Sequence, residues 1–138
     1  MLDIPADSLR GRIFSITYAD LGQTKSNENA WRIVKLQVEE VKGFECFTNF
    51  AGVSITRDKL CTLVKKWHSL IEAFVQGKTA DGYLVRLFSI AFTRRQNKQV
   101  KATCYAKASQ IKNIRQKMME IMVNETQKST LKDLFKKL

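Results

Sequence analysis

The sequence predicts one domain of the α+β class, with a mainly antiparallel, barrel-like sheet of about five to seven strands packed against helices. Three observations support this prediction. Segments with the two-residue alternation of a half-buried strand occur in both halves of the chain. Segments with the apolar period of a helix lie between these strands and after them. The length of 138 residues suits a single domain that buries a core.

Three strands are predicted near the start of the chain. Leu9–Tyr18 and Trp31–Val41 both alternate apolar and polar residues, and the polar stretch 20–30 between them is predicted to be a turn or loop. Lys42-Gly43 is a turn signal, so Phe44–Phe50 is predicted to pair with the preceding strand in a hairpin. The residues that share one face in the first two strands are Phe14, Ile16 and Tyr18, and Val34, Leu36 and Val38.

A helix is predicted from Thr56 to about Gly77. Thr56 is a suitable N-cap, and Asp58 is favourably placed in the first turn. Gly77 suits the C-terminal end of a helix. The apolar residues that step at three, four and seven positions along this segment are Leu60, Leu63, Val64, Trp67, Ile71 and Phe74.

A second hairpin is predicted after the turn signal Asp81-Gly82. Tyr83–Thr93 is rich in apolar residues, which suggests a central position in the sheet. Gln99–Tyr105 alternates and is predicted to be its partner strand, which leaves residues 94–98 as the loop of the hairpin.

Two helices are predicted in the last third of the chain. The first begins at about Ala106, and its apolar stripe is Ile111, Ile114, Met118, Ile121 and Met122. The second begins at Thr130, which together with Asp133 resembles a capping box.

The positive charge is concentrated late in the chain. The net charge is +11, and residues 82–138 contain 13 Lys and Arg against 3 Asp and Glu. No acidic residue occurs in the 38 residues 82–119. A skew of this kind indicates a polyanionic partner, with nucleic acid as the first candidate and an acidic membrane surface as the second. The alternative for the basic run itself is a solvated face that only keeps the protein soluble.

The predicted contact residues lie in the 94–98 loop, in the strand after it and along the next helix. Arg presents a bidentate fork to phosphate oxygens, and Lys presents a point charge. Tyr105 could stack on a base, although ordinary sheet packing is the alternative. For the helix at 107–122, packing onto the sheet is preferred over a membrane surface. The predicted set is Arg94, Arg95, Lys98, Lys101, Lys107, Lys112, Arg115 and Lys117.

Catalysis, cofactors and metals have little support in the sequence. His68 is the only histidine, and it follows Cys61 by seven residues, which is too far along a helix for a thiolate–imidazole pair. The three cysteines are odd in number and form no CxxC motif, so we expect buried, reduced thiols. The nucleotide-binding motifs GxGxxG and GxxxxGK[ST] do not occur. The prediction is therefore a protein that is not an enzyme and binds no cofactor or metal.

No targeting segment is recognisable. The N-terminus, MLDIPADSLRGR, lacks the basic start and apolar stretch of a signal peptide, and no apolar run is long enough to span a membrane. We therefore expect a protein of the cytosol or nucleus without a membrane partner.

Several ordered blocks carry a family resemblance over nearly the whole chain. They are LRGRIF (Leu9–Phe14), ADL (Ala19–Leu21), TRDK (Thr56–Lys59), VKKW (Val64–Trp67), IEA (Ile71–Ala73), DGYLVRLF (Asp81–Phe88) and IRQKMMEIM (Ile114–Met122). This series resembles the eukaryotic and archaeal small-subunit ribosomal protein family called S-three-Ae, or S-one-e in the newer scheme.

The resemblance implies a structural protein of the small ribosomal subunit, seated on the platform near the mRNA exit. Its partners would be rRNA, neighbouring ribosomal proteins and translation initiation factors, and its location the cytoplasmic ribosome, with nucleolar assembly in a eukaryote. Relatives usually have a longer, lysine-rich N-terminal segment and a C-terminal extension. We therefore expect residues 1–138 to be a single domain that lacks both, which agrees with an ending on Leu138 in the middle of an apolar pattern.

One alternative from another class stays open on the residues alone. The chain could be a free-standing basic module that binds an acidic protein, as a signalling adaptor does. Sedimentation in a salt series would separate the two hypotheses. Stable co-migration with the small subunit favours the ribosomal protein, and a free pool insensitive to ribonuclease favours the free-standing module.

Overall fold

The computed structural model describes residues 6–22 and 29–137. The chain divides into two compact units, Met1–Val64 and Lys65–Leu138. The described sheets have three and two strands, each antiparallel, and neither closes on itself. Mixed α and β structure with antiparallel pairing is therefore confirmed, but the barrel-like sheet of five to seven strands is not. Part of the predicted 20–30 loop, and Leu138, lie outside the described residues.

The first unit contains a three-stranded sheet in the order β1-β2-β3. The short helices α1 (Ala6–Leu9) and α2 (Tyr18–Leu21) flank β1 (Ile13–Thr17). Strand β2 (Arg32–Lys42) pairs with both β1 and β3 (Glu45–Ile55).

The turn between β2 and β3 depends on a left-handed residue. Gly43 has a φ of 59°, which glycine adopts without steric cost. Val34 and Val38 are buried on the same face of β2, as the alternation predicts. The third strand differs from its prediction because it begins after Phe44, which is exposed, and continues past Phe50 to Ile55.

The predicted helix at 56–77 is wrong over its second half. Helix α3 (Arg57–Leu63) does begin after Thr56, but it ends at Leu63, and Trp67 takes a left-handed φ of 69° that no α-helix allows. The chain then forms strand β4 (Leu70–Lys78).

The second unit is built on a two-stranded sheet. Strands β4 and β5 (Leu84–Phe92) pair in unbroken register from Leu70 opposite Phe92 to Lys78 opposite Leu84. In the described residues β5 has no second neighbour, so its predicted central position is wrong. Helix α4 (Ala108–Lys128) packs against β4.

The close approach of α4 to β4 requires a small residue in the strand. Ile71 and Ala73 are buried on the inner face of β4, which is the face that also carries Gly77. A Cβ at Gly77 would lie 3.1 Å from Thr126 Cγ2, and Thr126 is buried. Helix α4 thus packs onto the sheet, as predicted, but Ile114 and Ile121 of its predicted apolar stripe are exposed and no member of the stripe is fully buried.

Helix α5 (Leu131–Lys137) is capped at its N-terminus as the sequence predicts. The Asp133 backbone N–H donates to Thr130 Oγ1 at 3.3 Å, and the Thr130 hydroxyl donates to Asp133 Oδ2 at 2.7 Å. Asp81 Oδ2 accepts the Leu131 N–H at 3.0 Å, which joins the β4–β5 turn to this helix. Lys137, through a hydrogen bond and its charge, holds the pKa of the Glu125 carboxyl below its usual value.

Candidate nucleic-acid interface

The segment between β5 and α4, residues 93–107, forms a loop that we call the basic loop. Both of its ends are fastened to residues 67–69. The Thr93 N–H donates to Ser69 O at 3.1 Å, and the Cys104 N–H donates to Trp67 O at 2.8 Å. The Ala106 N–H donates to Ser69 Oγ at 2.9 Å. The loop therefore leaves and rejoins the unit at one closed base.

His68 takes part in this base. Its Nδ1 lies 2.6 Å from the Thr93 carbonyl oxygen, and His68 forms an isolated parallel bridge with Cys104. The side chain is half-buried. The prediction that His68 lies in a helix is wrong. The residue instead helps to hold the base of the basic loop.

Gln99 organises the interior of the basic loop. Its Nε2 donates to the carbonyl oxygens of Lys101 and Thr103, both at 2.9 Å. Its own carbonyl oxygen accepts from the guanidinium of Arg95 through Nε at 3.1 Å and Nη2 at 2.8 Å. One residue therefore links three parts of the loop.

These contacts explain why the predicted strand at 99–105 does not form. Carbonyl groups that would have joined a ladder with β5 are bonded instead to the Gln99 amide. Val100, which the alternation placed on an apolar face, is 94% exposed. Cys104 instead forms an isolated bridge with His68, which lies outside the predicted partner strand Tyr83–Thr93. The loop is consequently longer than the predicted residues 94–98.

Four of the eight predicted contact residues are exposed and have no acidic partner or hydrogen-bond acceptor among the described residues. Arg94, Lys98 and Lys101 lie in the basic loop, and Lys112 lies in the second turn of α4. Lys107 is also exposed and precedes α4, where its backbone N–H donates to Gln110 Oε1 at 2.9 Å. These five cations are available to a ligand.

The other three predicted residues are already engaged. Arg95 holds the loop through Gln99, as described above. The Arg115 Nε donates to the Glu72 carbonyl oxygen of β4 at 3.0 Å, which fastens α4 to the sheet. Lys117 forms an ion pair with Glu120 at 2.9 Å. Their charge contributes to the field of the unit, but their side chains also serve the fold.

An open cavity of about 680 Å³ lies between the basic loop and the first turns of α4. Polar side chains from both elements line it. A shallower hollow of about 590 Å³ lies at the tip of the loop, lined by Arg94, Arg95, Gln96, Asn97 and Lys98. Sequence reasoning identified the cations here, but neither the Gln99 contacts nor the cavity, because a single glutamine in a polar run gives no signal of its role.

The charge is divided between the units more sharply than between the halves of the sequence. Met1–Val64 contains eight basic residues (Lys and Arg) and eight acidic residues (Asp and Glu). Lys65–Leu138 contains sixteen basic and five acidic residues. The whole net charge of +11 therefore belongs to the second unit.

The cysteines differ from expectation in one respect. All three are free thiols, but Cys46 and Cys61 are exposed and Cys104 is half-buried. Within residues 6–22 and 29–137, no three metal-ligating side chains come together.

No described helix is both long enough and apolar enough to cross a bilayer. The sequence matches the model of the Ribosomal S3Ae family over residues 2–138. The chain therefore belongs to the Ribosomal S3Ae family, whose members are structural proteins of the small ribosomal subunit.

Proposed function

We propose that the second unit anchors this protein to small-subunit rRNA through the basic loop and the first turns of α4. Membership of the family makes rRNA and ribosomal proteins its partners and associates it with the ribosome. The residues proposed to contact rRNA phosphates are Arg94, Lys98, Lys101, Lys107 and Lys112. The mechanism is neutralisation of phosphate charge with release of counterions, together with the fit of the loop to the RNA surface.

One observation carries the proposal. The exposed cations of the basic loop have no acidic partner among the described residues, although acidic residues are as frequent as basic ones in the first unit. Like charges held close together repel each other and destabilise the compact state. Phosphates supply the opposite charge, so binding relieves the repulsion.

The position in the subunit is a further part of the proposal. The resemblance of the ordered sequence blocks supports a place on the platform near the mRNA exit, close to initiation-factor contacts. Nucleolar assembly in a eukaryote is proposed on the same basis.

The test is charge reversal at two residues with no structural partner. We expect Arg94→Glu with Lys98→Glu to reduce incorporation into the small subunit, measured by co-sedimentation, while the circular dichroism spectrum is unchanged. Arg95 is left intact because its reversal would also remove the contacts to Gln99 O. Arg10→Glu with Lys35→Glu makes the same change of charge at exposed positions of the first unit and serves as the matched control.

Equal incorporation of the loop variant and the control would count against the loop as an anchor. A free pool of the protein that is insensitive to ribonuclease would favour the alternative, a module that binds an acidic protein.

A further inference from the structure

The open cavity beside the basic loop has the features of a site for a nucleobase. Its volume of about 680 Å³ lies within the range of about 300–1,000 Å³ that small-ligand sites occupy. Its lining includes the aromatic ring of Tyr105, the aliphatic side chain of Ile114, the amides of Gln110 and Asn113, and the cations Arg94 and Lys101. A phosphate alone would need only the cations.

We propose that this cavity receives a single unstacked nucleotide of the bound RNA, with Tyr105 as the surface on which the base stacks. This inference rests on the proposed rRNA binding and deepens it. Recognition of RNA by proteins commonly uses bases that are splayed out of a helix, stacked on aromatic rings and hydrogen-bonded at their edges.

Tyr105 is placed for stacking rather than for sheet packing. It lies outside every strand, between the Cys104 bridge and the start of α4, and it is 62% exposed. Its backbone neighbours are fixed, because the Cys104 and Ala106 N–H groups both bond to residues 67–69. The ring is therefore held by a rigid backbone while its surface stays accessible.

The wall opposite the loop comes from one face of α4. Gln110, Asn113 and Ile114 are spaced at three and four residues, so they lie on the same side of the helix. Ile114 offers an apolar contact to a base. Asn113 has no hydrogen-bond partner among the described residues, and the Gln110 Nε2 is unused while its Oε1 accepts from Lys107. Both amides can donate to the edge of a base.

The cations suit the sugar–phosphate part of the same nucleotide. Arg94 and Lys101 line the cavity from the loop side, and neither has an acceptor among the described residues. Gln99 faces the cavity too, but its amide is occupied by the Lys101 and Thr103 carbonyl oxygens, so it shapes the site rather than reading the base.

The experiment compares two RNA hairpins of equal length, one fully paired and one with a single bulged 2-aminopurine. Binding is measured for the 138-residue chain, and stacking is measured by quenching of the 2-aminopurine fluorescence. We expect tighter binding to the bulged hairpin, with quenching. Tyr105→Leu should weaken binding to the bulged hairpin on the order of tenfold and abolish the quenching. Binding to the paired hairpin should not change.

Tyr105→Phe is the matched control, because it keeps the aromatic face and loses only the hydroxyl. It should behave as the unsubstituted protein does. The stacking inference is overturned if Tyr105→Leu binds the bulged hairpin as tightly as the unsubstituted protein does, or if it weakens binding to both hairpins equally.

The proposed function fails separately. It is contradicted if Arg94→Glu with Lys98→Glu binds both hairpins as well as the unsubstituted protein. If that charge variant weakens binding to both hairpins while Tyr105→Leu changes binding to neither, only the inference of a nucleotide site is contradicted.

Discussion

At the scale of single residues, Gln99 determines the shape of the basic loop. Its amide bonds the Lys101 and Thr103 carbonyl oxygens, and its backbone oxygen holds the Arg95 guanidinium. A hydrogen bond contributes about 0.5–1.5 kcal/mol, and of these four the one to the Thr103 carbonyl oxygen is half-buried while the others are exposed. The loop therefore presents Arg94 and Lys101 from an ordered backbone, which lowers the entropic cost of binding.

We predict that Gln99→Ala loosens the loop without unfolding the unit. Amide hydrogen exchange should rise over residues 96–104, since the Lys101 and Thr103 carbonyl oxygens lose their donor. RNA affinity should fall on the order of threefold to tenfold, although Gln99 itself carries no charge. Gln96→Ala removes a similar side chain, one that makes no hydrogen bond among the described residues, and should leave the exchange rates unchanged. Equal exchange in the two variants would contradict the role given to Gln99.

Prediction from sequence was accurate for some residues and not for others, for a physical reason. Gly43 and the Thr130–Asp133 cap are local features, determined by residues that are neighbours in the chain. The engagement of Arg115 with the Glu72 carbonyl oxygen joins residues 43 positions apart. No local pattern shows that this arginine is occupied while Lys112 is free.

At the scale of elements, strand β4 shows how a sheet partner overrides a helical pattern. Ile71 fits an apolar stripe at helical spacing as well as it fits the two-residue period, so the sequence is ambiguous here. Pairing with β5 runs over the whole length of the segment, so one edge of β4 is hydrogen-bonded throughout. It also turns Phe74 outward, where its ring lies 6.2 Å from that of Phe88, instead of inward as the helical stripe requires.

Strands β2 and β5 and the long helix α4 could be predicted, and so could the existence of β1, although the predicted Leu9–Tyr18 extends into α1 and α2. The segment at 99–105 also alternates, but its Lys101 and Thr103 carbonyl oxygens bond the Gln99 amide, and β5 pairs only with β4 in the described residues. Alternation predicts that a segment can form a strand. It does not say where the partner is.

We predict that Gly77→Ala destabilises the packing of α4 on β4. The new methyl group would meet Thr126 Cγ2 at 3.1 Å, which is closer than ordinary van der Waals contact, and Thr126 is buried. Overpacking of this kind costs about 1–3 kcal/mol in the free energy of unfolding, which denaturant titration measures. Gly52→Ala is the matched control in β3, where nothing lies within 4 Å of the added Cβ. A loss at Gly77 no larger than the change at Gly52 would argue against the close helix–strand contact.

At the scale of the whole molecule, the two units differ in charge as well as in fold. The first unit is electrically neutral in its formal charges, and the second carries the full excess of +11. The net charge of the sequence indicates a polyanionic partner, and this part of the prediction needs only the composition. The composition could not say which cations are free, because that depends on the contacts of each side chain.

We predict that the salt dependence of RNA binding resides in the second unit. Each cation that contacts a phosphate adds about one to the slope of log affinity against log salt. Arg94→Gln with Lys98→Gln should therefore reduce the slope by roughly two, in a filter-binding titration across salt concentrations. Arg10→Gln with Lys35→Gln should leave it unchanged. Equal reductions for both pairs would mean that the RNA contacts are spread over both units.

The closed base of the basic loop also determines where the chain can change in length. Thr93, Cys104 and Ala106 are hydrogen-bonded to residues 67–69. An inserted residue there would break the hydrogen bonds that close the base of the loop. At the tip, Asn97 and Lys98 make no hydrogen bond to residues 67–69 in the part of the chain that the structure describes. Homologues that differ by insertions or deletions in this region should therefore place them at the tip, so that the reach of the loop can vary between species while its base stays the same.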